Sequence, residues 1–127
     1  MIENLINPDS ILFELTGRER DEILAELTEN LISQNTGLNR NEVFQSLVAR
    51  EEKMSTAVEN LIAVPHAVSK KIDKTFICLG IKREGVDFDL KDTTGLKKVN
   101  VFFCIIFPES KTDEHLEVLK DILNLSQ

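Results

Sequence analysis

The chain has only two histidines, and each comes after a proline that ends an apolar run. His66 stands directly after Pro65, and His115 follows Pro108 by seven residues. A neutral imidazole can attack phosphorus, and a guanidinium such as that of Arg50 can hold phosphate oxygens with its planar fork. If the fold brings these side chains together, they form a set that is suited to phosphate chemistry.

Each of these residues also has an ordinary structural explanation. A single histidine after a strand is usually a surface or hydrogen-bonded structural residue, and His115 alone would be a histidine on a helix surface. Arg50 near a helix end is a favourable solvated cation. The functional interpretation depends on their combination. Two parallel, adjacent strands would bring both histidines to the carboxyl edge of one sheet, where ligands bind in open α/β sheets. The N-terminus of the helix that carries His115 would also attract an anion.

Other chemistries lack their sequence patterns. No HxxxH or HxH spacing indicates a metal site, no G-x-S-x-G elbow indicates a hydrolase, and the five glycines form no nucleotide-binding loop. We therefore expect no metal, no organic cofactor, and a protein rather than ATP as the phosphoryl donor. Cys78 and Cys104 lie inside apolar runs without metal-like spacing, and they are predicted to be buried free thiols.

Charge and hydropathy restrict the partners and the location. The net charge of −7, from 22 acids against 15 bases, argues against nucleic acid as a partner. No stretch approaches the roughly 20 apolar residues of a membrane span, so we expect no direct membrane insertion. The start of the chain, MIENLINPDS, lacks the basic and apolar regions of a signal peptide, which favours a cytoplasmic protein.

Three segments have apolar residues at helical spacing. Residues 21–33 form the first helix, with acids at its start that suit the helix dipole. Asn39 is the predicted N-cap of the second, with Glu42 completing a capping box, and this helix carries Arg50 near its end. Residues 114–125 form the third. The predicted apolar face of the third helix comprises Leu116, Leu119, Ile122 and Leu123.

The strands lie between these helices. Residues 61–64 form a short apolar strand that Pro65 closes, residues 76–81 form a second, and residues 86–90 alternate as a half-exposed strand does. Residues 99–107, VNVFFCIIF, are almost entirely apolar, which is typical of a strand covered on both faces. The pattern predicts an α/β fold with a mixed parallel/antiparallel sheet flanked by helices on both faces.

Three ordered stretches resemble the enzyme IIA domains of the bacterial phosphotransferase system, in the fructose, mannitol and nitrogen-regulatory class. REEKMSTAVENLIAVPHA, at residues 50–67, is similar to the family's phosphorylation-site pattern. That pattern reads roughly R-E, a serine–threonine pair, a glycine-rich bend and A-[IV]-P-H-[GA]. GVDFDLKDTTGLKKVNVFFCIIFP resembles the family's turn and long central strand, and EHLEVLKDIL resembles the helix that opens with its second histidine.

The resemblance implies roles for five residues. His66 would be phosphorylated on Nε2 by the histidine phosphocarrier protein HPr, with His115 beside it and Arg50 holding the phosphoryl oxygens. Ser55 and Thr56 match the serine–threonine pair that lines the family's site. The phosphoryl group would then pass to a IIB component in sugar uptake. In a nitrogen-regulatory relative it would instead act as a switch for binding a regulated target protein.

Two departures from the family pattern bear on these expectations. The bend, TGIGNG-like in the family, is TAVENL at residues 56–61 and has no glycine. A third hypothesis is therefore a degenerate domain that keeps the fold but accepts no phosphate. The last helix also runs almost to Gln127 without a stop signal. We thus expect one enzyme IIA-like domain over residues 1–127 that is either truncated at its C-terminal helix or lacks a closing element.

Overall fold

The computed structural model describes residues 4–34, 37–58, 61–94 and 97–125. Over these residues two helices precede a run of five strands, of which the last two are long, and a third helix follows. The elements, in chain order, are a 3₁₀ helix (Pro8–Ser10), β1 (Ile11–Leu12), α1 (Arg20–Gln34), α2 (Arg40–Lys53), β2 (Ala57–Val58), β3 (Ile62–Ala63), β4 (His66–Ser69), β5 (Phe76–Asp87), β6 (Lys98–Pro108) and α3 (Thr112–Leu125).

The strands form one mixed sheet. Its order is β1-β5-β6-β3-β2, and β4 also pairs with β6. The long strands β5 and β6 are antiparallel, whereas β3 and β4 both run parallel to β6. At the edges, β1 is parallel to β5 and β2 is antiparallel to β3. The predicted mixed parallel/antiparallel sheet is therefore confirmed.

Helices cover both faces of this sheet, as predicted. α1 and α2 pack over one apolar cluster, which contains the buried free thiols of Cys78 and Cys104. α3 contributes Val118 and Ile122 to a second cluster on the other face. Because side chains alternate along a strand, β6 supplies residues to both clusters, which explains its almost unbroken apolar sequence.

β5 is a single strand where the sequence pattern predicts two. It runs Phe76–Asp87, with one shift in its register on β6. Gly85 lies in this irregular stretch at φ +76, a left-handed conformation that glycine adopts easily. A Cβ at this position would lie 2.7 Å from the Cβ of Lys98. The alternation predicted over residues 86–90 holds for Val86 and Phe88, which are buried, but fails at Leu90, which is exposed beyond the end of the strand.

α2 begins where the sequence predicts. The side chain of Asn39 accepts a hydrogen bond from the backbone N–H of Glu42 at 3.1 Å, which caps the helix. The Glu42 carboxylate forms an ion pair with Lys71 at 2.9 Å rather than completing a capping box. Since α2 ends at Lys53, Arg50 lies in its last turn.

The predicted apolar face of α3 is partly wrong. Val118 and Ile122 are fully buried against β6, and Leu119 is half-buried. Leu116 and Leu123 are 62% and 45% exposed. A helix that packs on a single strand buries a narrow stripe, and these two leucines lie outside that stripe.

Candidate functional site

His66 is the first residue of β4, and two residues separate it from the end of β3. The parallel pairing on β6 resumes at His66, opposite Ile105, in the register that β3 already follows. Proline has no N–H to give to the ladder, so Pro65 interrupts the pairing, but its carbonyl still accepts from the Ile105 N–H at 2.9 Å. β3 thus ends before Pro65, and the resumption of the pairing as β4 was not predicted. The nucleophile candidate lies on the sheet itself rather than on a loop.

The His66 ring has a defined tautomer. Its Nδ1 lies 2.8 Å from the carbonyl oxygen of Val64. A carbonyl oxygen can only accept, so Nδ1 carries the proton and Nε2 keeps its lone pair. Burial lowers the pKa of His66, as do the nearby charges of Arg50 and His115, against the opposing effect of the Val64 bond. The ring is accordingly neutral near neutral pH, which is the form that a nucleophile requires.

Phe107 joins the two histidines at the carboxyl end of β6. The Phe107 and His115 rings are stacked, with centroids 4.2 Å apart and planes 30° apart. The same phenyl ring meets His66 edge-on, at 6.2 Å and 72°. The predicted convergence of the two histidines at one end of the sheet is therefore observed. Their roles in phosphate chemistry remain predictions.

His115 is fixed through the nitrogen opposite to the one that fixes His66. Its Nε2 lies 3.0 Å from the carbonyl oxygen of Pro108, so Nε2 carries a proton. The preceding residue, Glu114, accepts a hydrogen bond from the Thr75 hydroxyl at 2.7 Å and ties the start of α3 to the residue before β5. The available nitrogen of His115 is thus Nδ1.

Arg50 is half-buried in the last turn of α2, and its Nη1 donates to the Met54 carbonyl at 2.7 Å. Its charge is close enough to lower the pKa of His66. Ser55 is half-buried, and its Oγ accepts from the Ala57 N–H at 3.1 Å. The structure thus brings Arg50 electrostatically within range of His66 and places Ser55 in the turn that follows α2.

Thr56 is buried, and both of its donors bind Glu51. The backbone N–H of Thr56 donates to Glu51 Oε2 at 2.9 Å, and its hydroxyl donates to Oε1. Glu51 is itself only 4% exposed. Sequence reasoning missed Glu51 and also the joining role of Phe107. An acid four residues after buried Leu47 is the signal for a carboxylate in the interior, and an aromatic directly before Pro108 is the signal for Phe107.

The glycine-free bend at residues 56–61 is described in part, because residues 59 and 60 lie outside the described residues. Leu61 has φ +69 and is 51% exposed. Its carbonyl accepts from the N–H groups of Asn100 and Val101, at 2.9 and 3.2 Å. Leu61 therefore occupies a left-handed conformation that a leucine adopts only under strain.

The described residues contain neither a cluster of metal ligands nor a membrane-spanning helix. Within residues 4–34, 37–58, 61–94 and 97–125, no group of three or more His, Cys, Asp or Glu side chains is placed to hold a metal ion. None of the helices over the same residues is long and apolar enough to cross a membrane.

Comparison with known sequences gives a consistent result. The family model described as "Phosphoenolpyruvate-dependent sugar phosphotransferase system, EIIA 2" matches residues 4–127. A nitrogen regulatory protein of Bradyrhizobium diazoefficiens is 31% identical over 124 residues, which cover 98% of this chain and 78% of the relative. The fructose-specific EIIABC component of Bacillus subtilis is 24% identical over 98% of this chain and 19% of its own length.

Comparison with solved structures agrees. The nitrogen regulatory protein IIA-Ntr of Neisseria meningitidis superposes with a TM-score of 0.87 at 28% identity, covering 99% of this chain and 84% of that one. The Escherichia coli enzyme IIA for mannitol, solved in complex with phosphorylated enzyme IIB, superposes with a TM-score of 0.77 at 20% identity, covering 94% and 79%. This second likeness concerns the fold.

Proposed function

The chain belongs to the EIIA 2 family of the phosphoenolpyruvate-dependent sugar phosphotransferase system, and from that premise we propose that His66 accepts a phosphoryl group from a phosphorylated HPr-like carrier and passes it to a IIB component in sugar uptake. Members of this family act as phosphotransferase components. Residues 1–127 would form a single enzyme IIA-like domain that works in the cytoplasm.

One observation carries this proposal: the hydrogen bond from His66 Nδ1 to the Val64 carbonyl. It holds the ring in the tautomer whose Nε2 has a free lone pair, before any donor arrives. Fixing the tautomer and the ring plane in advance removes part of the entropic cost of the encounter. The lowered pKa of His66 acts in the same direction, because it keeps that lone pair unprotonated near neutral pH.

Transfer moves the phosphoryl group between two imidazoles. The bond from phosphorus to the donor nitrogen breaks while the bond to His66 Nε2 forms, and the donor ring leaves with the electron pair. In such a loose transition state the protein mainly positions the reactants and spreads the charge of the equatorial oxygens. Arg50 would supply a fixed positive charge for these oxygens. Ser55 would donate a hydrogen bond from its hydroxyl to these oxygens. Thr56 would instead support the turn, because both Thr56 donors bind Glu51.

His115 would contribute through Nδ1. In the neutral ring this nitrogen has a lone pair, because the proton is on Nε2 and is donated to Pro108. To donate to a phosphoryl oxygen, His115 must therefore bind a second proton. Such a donor would face phosphoryl oxygens that carry a charge near −2.

The bond to Val64 also bears on delivery to the next protein. Since the Val64 carbonyl can only accept, the bond persists in the phosphorylated state only while Nδ1 keeps its proton. A ring with a proton on Nδ1 and a phosphoryl group on Nε2 is cationic. Such a ring is a better leaving group than a neutral one, so the bond supports transfer onward as well as acceptance.

A second candidate function is a nitrogen-regulatory switch. It is favoured by the 31% identity to the Bradyrhizobium nitrogen regulatory protein and by the TM-score of 0.87 to the Neisseria IIA-Ntr structure. In this alternative the same phosphohistidine changes which regulated target protein the surface can bind, because it adds a large local negative charge. The phosphoryl-accepting step is common to both candidates.

The test is incubation of the full chain with a phosphorylated HPr-like protein, followed by intact mass measurement under alkaline conditions, where phosphohistidine survives. We expect a gain of one phosphoryl group in the wild type and in His115→Ala, and no gain in His66→Ala. Failure of the wild type to gain mass would support the degenerate domain and overturn the proposal. Addition of a IIB component then separates the candidates, because a carrier loses its phosphoryl group to IIB whereas a switch retains it.

A further inference from the structure

The Glu51 carboxylate is buried at the end of α2 and has two partners on one residue. Both of its oxygens accept from Thr56, one from the backbone N–H at 2.9 Å and the other from the hydroxyl. Burial raises the pKa of Glu51, whereas the two Thr56 bonds and the charges of Arg50 and Arg20 act against the rise. Burial of an ionised carboxylate costs free energy unless hydrogen bonds compensate it, and the two Thr56 bonds provide that compensation.

The bonds of Glu51 continue to the nucleophile. The Thr56 carbonyl accepts from the Val64 N–H at 3.2 Å. The Val64 carbonyl, in turn, accepts from His66 Nδ1 at 2.8 Å. One uninterrupted series of hydrogen bonds thus connects the Glu51 carboxylate to the His66 imidazole, across the bend between α2 and β4.

We propose that Glu51 is a positioning residue that holds the Val64 carbonyl, through Thr56, at the place where it fixes the His66 tautomer. This inference rests on the proposed phosphorylation of His66 and adds a residue that never touches the phosphoryl group. Without Glu51, the turn at Thr56 loses both of its anchors. The Val64 carbonyl then moves, and the His66 ring populates the tautomer with its proton on Nε2, which has no lone pair for attack.

Placement rather than charge carries the effect. The charges that act on the pKa of His66 are those of Arg50 and His115, whereas Glu51 reaches His66 only through intervening bonds. A glutamine at position 51 can replace both bonds: its Oε1 accepts from the Thr56 N–H, and its amide group donates to the Thr56 hydroxyl oxygen. An alanine leaves two buried donors without acceptors. The neutral glutamine therefore separates position from charge.

The experiment compares three variants of the full chain: Glu51→Ala, Glu51→Gln and Ile23→Ala. Ile23 is fully buried in α1, so the last variant is a control for loss of stability away from the bend. NMR spectra that correlate ring carbon-bound protons with ring nitrogens report the His66 tautomer without any phosphorylation. The rate of phosphoryl uptake from a phosphorylated HPr-like protein is the second measurement, per folded molecule.

We expect the wild type, Glu51→Gln and Ile23→Ala to hold the His66 proton on Nδ1. Glu51→Ala should show a mixture of tautomers, and its uptake rate should fall by up to about ten-fold. Should Glu51→Ala fail to fold, Thr56→Val breaks only the hydroxyl bond and should show a smaller change in the same direction. Rescue by Glu51→Gln is the decisive comparison.

The inference is overturned if Glu51→Ala and Thr56→Val both keep a pure Nδ1–H tautomer, or if Glu51→Gln changes the tautomer as much as Glu51→Ala does. It is also overturned if Ile23→Ala shifts the tautomer equally, because general destabilisation then explains the effect. The NMR measurement separates this failure from that of the proposed function. A wild-type chain that takes up no phosphoryl group still reports whether Glu51 sets the His66 ring.

Discussion

In both histidine regions a backbone carbonyl fixes the imidazole ring, but the two rings bind through opposite nitrogens. Each ring donates to a backbone carbonyl, His66 to that of Val64, which precedes Pro65, and His115 to that of Pro108. His66 binds through Nδ1 and sits on a strand inside the sheet, whereas His115 binds through Nε2 and sits on the helix that follows. The nitrogen left available is thus Nε2 in one ring and Nδ1 in the other.

This difference separates the two histidines chemically. Nε2 is the outer nitrogen of an imidazole, so the His66 lone pair faces away from its own backbone. Nδ1 is the inner nitrogen, so the available atom of His115 lies close to the α3 backbone and is suited to assisting a group held elsewhere. Two histidines in one site therefore need not be interchangeable, and the backbone acceptor of each one indicates its role.

Substitution of Phe107 should have the largest effect on this comparison, because the Phe107 ring contacts both histidine rings. Phe107→Ala should destabilise the fold by about 3–5 kcal/mol in urea unfolding, since the side chain is fully buried. Phe107→Leu keeps most of the apolar volume and serves as the matched variant. It should shift the ring signals of stacked His115 more than those of His66. A larger shift at His66 would mean that the two contacts have been misjudged.

His115→Ala should slow phosphoryl uptake about 10²-fold, because it removes one side chain that would contact the phosphoryl oxygens in the transition state, while His66→Ala should abolish uptake. A half-buried histidine contributes little to the core, so the unfolding free energy should change by about 1 kcal/mol or less. Intact mass of samples quenched at timed intervals measures the uptake rate, and urea unfolding measures the unfolding free energy. A variant that unfolds while its folded fraction reacts at the wild-type rate would assign His115 a structural role only.

The pH dependence of stability should reveal His66. Its pKa is lowered in the folded protein, chiefly by burial. A lowered pKa means that the folded state binds the proton less readily than the unfolded chain does. The stability that His66 contributes is therefore complete above the unfolded pKa of ~6.5 and is lost as the pH falls through that value towards the folded pKa.

This loss is measured as a difference between the wild type and His66→Gln. The difference in unfolding free energy should be constant above about pH 7 and should diminish as the pH falls below about 6.5. The phosphoryl uptake rate should begin to decline only at lower pH than the stability does, because the folded ring keeps its lone pair until the pH reaches its lowered pKa. A difference in unfolding free energy that stays constant as the pH falls below about 6.5 would contradict the lowered pKa.

Leu61→Gly has the smallest expected effect and tests whether the bend acts on the histidines at all. Glycine relieves the left-handed conformation of Leu61, at the cost of more entropy in the unfolded chain, so we expect a gain of about 0.5–1 kcal/mol. Leu61→Ala keeps a Cβ and should gain nothing. Neither variant should change the tautomer of His66 or His115, and a destabilised Leu61→Gly would show that the leucine side chain has a stabilising contact.

The element types could be predicted from the sequence because they depend on local patterns. The apolar period predicted all three helices, and the composition of β6 predicted a strand covered on both faces. The errors arose where distant packing decided the outcome. Gly85 allows β5 to continue through an irregularity where the alternation pattern predicts a break. Pro65 interrupts the pairing of β3 with β6, and β4 resumes that pairing in the same register.

The candidate site could be predicted in its residue types and not in its bonds. His66 and His115 stand out because the chain has only two histidines and both follow strand ends, and Arg50 stands out by its place near a helix end. The acceptors that fix them are backbone carbonyls, which every residue carries and which therefore leave no sequence signal. For the same reason, the hydrogen bonds that connect Glu51 to His66 through Thr56 and Val64 are visible only in the three-dimensional structure.

The most direct test is the position of the phosphoryl group in the phosphorylated full chain. NMR couplings between phosphorus and the ring nitrogens identify the phosphorylated atom. We predict one phosphoryl group, on Nε2 of His66, with the proton still on Nδ1 and donated to the Val64 carbonyl. A phosphoryl group on Nδ1 of His66 or on either nitrogen of His115 would contradict the central claim.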